Sequence, residues 1–276
     1  MAASFVGANL TRATFRNTDF TVADLSNAIL ENCLFENTDL TGSILTGARM
    51  HGLQSRGIKG EPKFSKGGSV VNGYIIQQGV LLDSVELQGS SLSNLSLIAA
   101  TLSESDLSDS NCEGTNFGLA KIYETNFKNA RLGGSFWSKA EVSCSEFFFS
   151  SLARSYLDSA NFFECSFVEV DFSEASFNFT SFSNCKMEKT LFSESKLFGV
   201  NFNESQLNQA EFRNCSLSGA TFSDCDLSAS TFENVDLNGA YFDEVNLDGV
   251  VSNGLWGSPY SLPDNWIIRE GKFQKR

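Results

Sequence analysis

Large apolar residues recur at every fifth position of this chain. In ANLTRATFRNTDFTVADLSN they are Leu10, Phe15, Phe20 and Leu25, and the spacing runs unbroken from Phe5 to Met50. A second run of 34 such centres extends from Leu82 to Leu247, and of the 44 in both runs only Cys112 is not Leu, Phe, Ile, Val, Met or Trp. Two residues before each centre stands Ala, Ser, Thr, Cys or Val, with Leu95 the clear exception. On a helix a step of five advances about 140°, which scatters the apolar residues around the axis. On a strand an odd step sends alternate centres to opposite faces. Only a chain that turns once per repeat points every fifth residue inward. The pattern therefore predicts a coil of short straight pieces and corners, with one large and one small residue of each five inside. Asp or Asn often precedes the centre, and Gly, Asn or Glu often stands second after it, which suits corners.

The fives ADLSN, TDLTG, ANFFE, AEFRN, CDLSA and VDLNG resemble the pentapeptide-repeat family, of the bacterial and cyanobacterial type, over about four-fifths of the chain. The resemblance implies an all-β, right-handed quadrilateral β-helix with four repeats per coil. Residues twenty apart would then stack at strand spacing, roughly 4.8 Å. Phe162, Phe182, Phe202, Phe222 and Phe242 would form one ladder, and Phe172, Phe192, Phe212 and Phe232 another on the opposite side. The organisation expected is one β-helix over 1–276: a first repeat run over 3–52, an insertion or loop over 53–79, a second run over 80–249 and a C-terminal cap over 250–276. A projecting hairpin or loop suits GEPKFSKGG in the insertion. In the cap, Trp256 and Trp266 are expected over the apolar floor of the last coil. The cap segment is loosely similar to the insertion in its Pro, apolar stretch and following Gly.

Composition narrows function more than fold. The 276 residues carry a formal charge of −13 and 26 Phe. Such a surface repels nucleic acid and anionic membranes and attracts basic partners. No early apolar run resembles a signal peptide or spans a bilayer, so a cytoplasmic protein is expected. Five of the seven cysteines occupy the small inward position as filler, and none shows zinc-site spacing. His51 is the only histidine, and no phosphate loop, metal-ligand pair or nucleophile motif stands out. Neither an enzyme nor a cofactor or metal protein is expected, and no catalytic residue is named.

Two surface features are candidate partner sites. Stepping by twenty along the second position after the centre gives an acidic column: Glu104, Glu124, Glu164, Glu204, Asp224 and Glu244, interrupted by Cys144 and Asn184. Glu86, Asp106, Glu146 and Asp226 add charge beside it. Outward aromatics between Ser135 and Glu164, namely Phe136, Phe148, Phe149, Tyr156 and Phe163, form the second candidate. The expected function is a non-enzymatic scaffold presenting an acidic, rigid surface to another protein. The alternatives are a DNA mimic acting on DNA gyrase or another topoisomerase, as the resemblance to quinolone-protecting family members implies, and a structural spacer without a specific partner. A homodimer stacked end to end or face to face is left open.

Overall fold

The structure is a computed structural model and describes residues 2–276. It is a four-walled β-helix of about twelve turns. Each repeat places three residues in a wall and two at a corner. The second residue after a centre takes the left-handed conformation, with φ of 51°, 65°, 59° and 54° at Ser84, Gly89, Asn94 and Ala99. That residue turns the chain by one wall, so the inward pointing of every fifth side chain follows from the corner. Coils are joined by parallel ladders in which a centre donates its N–H to the carbonyl nineteen residues on, as from Leu87 to Asp106 at 2.8 Å. The register is twenty residues throughout the second run, with Phe162 opposite Phe182 and Phe202 opposite Phe222.

The wall containing Leu82 is named the first; those of Leu87, Leu92 and Leu97 are the second, third and fourth. The first wall holds a nine-stranded parallel sheet from Leu81–Asp83 to Tyr241–Asp243. Below it lie Thr14–Arg16, Leu34–Glu36 and Gln54–Arg56. The phenylalanine ladders form as expected. Along the first wall the rings from Phe162 to Phe242 stack at 5.1, 5.4, 5.1 and 4.9 Å. On the third, Phe172 to Phe232 stack at 5.5, 4.8 and 4.8 Å. Offset parallel rings at this spacing exclude water along the axis.

The break between the runs closes a coil. GEPKFSKGG forms no projecting hairpin: Lys59 and Lys63 bridge to Asp39 and Ile44 of the coil below. The hairpin comes later, pairing Ser69–Val71 with Tyr74–Ile76 around Asn72-Gly73. Two consecutive positive φ values, 48° and 78°, match the twist of antiparallel strands. The hairpin reaches across the coil end, because Gly73 O accepts the N–H of Ile58 at 2.9 Å. Ile75 and Ile76 are fully buried between the two runs.

The C-terminal segment repeats this device contact for contact. Trp266–Arg269 pairs with Lys272–Lys275 around Glu270-Gly271, and Gly271 O accepts the N–H of Leu255 at 2.9 Å. Ser55 Oγ accepts from Ile75 N–H at 2.7 Å, and Ser252 Oγ from Phe273 N–H at 2.9 Å. The two caps differ on their outer faces. Above the internal cap the pairs Ser69–Ile76 and Val71–Tyr74 meet the next coil, whereas the equivalent pairs of the terminal cap are Ile267–Gln274 and Arg269–Lys272. An apolar floor is covered, and a polar one faces water. The plug of the last coil is Phe273, whose ring meets Phe232 and Phe242 at 5.4 and 6.0 Å. Trp266 packs at the edge of the core, but Trp256, expected over the floor, is 60% exposed.

Candidate protein interface

With Ser84 at its start, all nine positions of the acidic column lie on the corner between the first and second walls, and each takes φ between 47° and 54°. The conformation disfavours side chains beyond glycine and asparagine by steric contact of Cβ with the backbone. Glutamate is thus an unfavourable choice for this corner, which Asn17, Asn37 and Gly57 fill in the first run. The six acids are exposed, and from Glu104 to Glu244 they cover seven coil spacings, about 34 Å.

Their charge is not neutralised within the chain. Among the described residues none of the six forms an ion pair. Of the four acids on the other corners of the second run two are paired, and Glu194, like the column acids, forms no ion pair. Glu169 is held by Lys189 at 2.9 Å, Glu174 by Arg154 at 3.3 Å, and Asp109 accepts from Asn129 at 3.0 Å. Around the column the contacts are weaker in charge. Asn203 Nδ2 donates to Glu204 at 3.1 Å, and Cys144 Sγ to Glu164 at 3.6 Å. The neighbouring Glu124 carboxylate pushes the Tyr123 pKa up to about 12. Partial burial, then Glu164 and Glu124, raise the Cys144 thiol above its ordinary value. Where Cys144 and Asn184 interrupt the acids, a groove of about 350 Å³ opens beside Glu146, Phe148, Glu164 and Lys186.

From Leu81 onward the first wall carries nine acids and one base at its outward positions, and the second eight and three. The third has six and three, and the fourth two and two. The charge is therefore a ridge on one corner, and the opposite walls are progressively neutral.

The five aromatics expected as a patch are not brought together. Phe136 and Tyr156 stack on the fourth wall at 5.0 Å, nearly parallel. Phe163 lies on the first wall, and Phe148 and Phe149 on the second. Stepping by twenty, as for the acids, would have separated them, and would have added Leu119, Phe179 and Phe198, which are exposed on the fourth wall. No group of three or more His, Cys, Asp or Glu side chains is placed to hold a metal ion among the described residues. Buried cysteines have raised thiol pKa values, through desolvation: about 12 at Cys112, Cys185 and Cys215 and about 11 at Cys225.

Coils of parallel strands with left-handed corners and outward polar side chains define a β-solenoid repeat protein whose surface is made of walls and edges. Family profiles agree. The pentapeptide repeat region matches residues 155–242, and pentapeptide repeats in eight copies match 2–32, 23–52, 86–122 and 100–136. The chain belongs to the pentapeptide-repeat family. Among solved structures it is similar to HetL, a pentapeptide repeat protein involved in heterocyst differentiation regulation from the cyanobacterium Nostoc sp.. Identity is 18%, with 91% of this chain and 89% of that one covered and a TM-score of 0.39. It is also similar to QnrB1, a plasmid-mediated fluoroquinolone resistance protein, at 22% identity, 63% and 89% coverage and a TM-score of 0.47. No curated protein sequence matches the chain.

Proposed function

We propose that this protein is a non-enzymatic scaffold that binds a basic surface of another protein along the acidic corner. The observation that supports this reading most is the contrast between corners. Six of the nine positions on this corner are acidic, exposed and without an ion pair, against four acids on all the other corners of the second run, two of which, Glu169 and Glu174, are paired with Lys189 and Arg154. Desolvation by a cationic partner would use that charge directly, and the steering it provides weakens with salt.

Charge density separates this reading from a DNA mimic of gyrase. Ten acids, the six and Glu86, Asp106, Glu146 and Asp226, span eight coil spacings. That is roughly one charge per 4 Å, against about one per 1.7 Å for duplex DNA. The ridge is nearer to one strand than to a duplex, which favours a protein-binding edge of moderate charge. The test is a variant with Glu104, Glu124, Glu164, Glu204, Asp224 and Glu244 all changed to Lys. Loss of specific partners from affinity-purified complexes supports the scaffold, and an unchanged set refutes it. In a gyrase supercoiling assay, inhibition or quinolone protection by the wild type that the variant lacks would instead establish the mimic.

A further inference from the structure

The fourth wall is the apolar side of this molecule. Fourteen large hydrophobic residues are exposed, and six of them, Leu119, Phe136, Tyr156, Phe179, Phe198 and Trp256, stand on this wall. Phe136 and Tyr156 stack, and Phe179 meets Phe198 edge to face at 5.3 Å. Phe179, 63% exposed, occupies a left-handed corner at φ 58°, and its ring lies over Gly199, where an added Cβ would come within 2.9 Å of it. The glycine thus seats the ring against the wall. An exposed apolar strip of this kind marks an association surface.

Charge selects the occupant. The fourth wall is balanced, with Lys139 and Lys196 against Asp158 and Asp236, while every other wall of the second run carries an excess of acid. Between two copies of a chain with charge −13, the fourth wall is the side face of the second run on which approach is least opposed. A two-fold arrangement of fourth wall on fourth wall also turns both acidic corners outward, where they stay free. It is isologous and closes at two copies. We infer that the protein forms a side-by-side homodimer through the fourth wall, with Phe136, Tyr156, Phe179 and Phe198 at its centre. The inference stands independently of the proposed scaffold role.

The test is sedimentation equilibrium of the full chain over a wide concentration range, with Phe179→Glu/Phe198→Glu as the interface variant. Phe149→Glu on the second wall and the six-lysine ridge variant serve as controls. Wild type is expected at twice the 30.2 kDa chain mass. The Phe179/Phe198 variant should dissociate with a constant raised on the order of a hundredfold or more, since central aromatic anchors dominate such interfaces. Both controls should remain dimeric, and the variant should keep the wild-type far-ultraviolet circular dichroism spectrum, because both rings are exposed, while its melting temperature should no longer depend on protein concentration. A monomeric wild type, or a dimer that persists in the Phe179/Phe198 variant, overturns the inference.

Discussion

Removing the Phe273 ring tests how the last coil is closed. The residue is 7% exposed, and its ring fills the lumen between the opposed walls of Phe232 and Phe242. Burial of a phenylalanine of about 200 Å² at about 25 cal/mol per Å² contributes roughly 5 kcal/mol, and truncation to alanine typically costs about 3–5 kcal/mol. The backbone bond from Phe273 N–H to Ser252 Oγ survives the substitution, so the loss is packing alone. In a solenoid each coil contacts only its neighbours, so the loss should stay local. Hydrogen exchange read by mass spectrometry on Phe273→Ala should show lost protection at Thr231–Glu233, Tyr241–Asp243 and Val251–Asn253. Protection at Thr101–Ser103 and Asn161–Phe163 should be that of wild type. Uniform loss along the chain, or none at the C-terminal coils, refutes the plug.

Ile75 is the counterpart of Phe273 at the internal cap, and Ile75→Ala should uncouple the two runs, splitting the calorimetric melt into two transitions. A Cβ at Gly60 would lie 2.5 Å from Thr41 Cα, and one at Gly257 2.6 Å from the Asn238 nitrogen, both at positive φ. Gly60→Ala and Gly257→Ala should each lower the denaturation midpoint, by about 1–3 kcal/mol in stability. A thiol reagent should modify Cys144 alone in the native protein, slowly at neutral pH and faster as pH rises past the usual thiol value, and should reach the other six cysteines only on unfolding. Hydrogen bonds from Arg56 and then Arg16 lower the pKa of Glu36 below 4.5. A depressed folded value means stability present above 4.5 and lost as pH falls through the lowered value. Glu36→Gln should therefore differ from wild type in melting temperature at neutral pH and converge with it in acid.

The five-residue period carried most of the fold, because a core of stacked coils demands the same inward residue at every turn. The acidic corner was legible for the same reason: Glu104 and Glu124 are twenty apart and must be neighbours. The state of those charges was less so. Glu169 with Lys189 and Arg154 with Glu174 also lie twenty apart, but Arg49 with Glu31 is eighteen apart and depends on side-chain reach across a corner. The caps were only half visible. SVVNGYII contains the Asn-Gly turn of a two-residue hairpin. Which strand face turns to the core is decided by the contacts from Ser55 to Ile75 and from Ser252 to Phe273, and no local pattern reports them. The sequence places both Trp256 and Trp266 over the floor, whereas only Trp266 packs against the core and Phe273 is the plug. The grouping of aromatics from Phe136 to Phe163 failed because closeness in sequence was used where position within the coil decides the wall.

The most direct test of the acidic corner uses the half-exposed Cys144, which sits in the column between Glu124 and Glu164. A photo-crosslinker attached to this thiol reports what lies against the corner in cell extract. Adducts are expected to a protein with a basic contact surface. These should diminish with added salt and disappear when the six acids become lysine, with Cys144 labelled to the same extent. Absence of any adduct, or adducts indifferent to the charge reversal, would contradict the binding role of the corner.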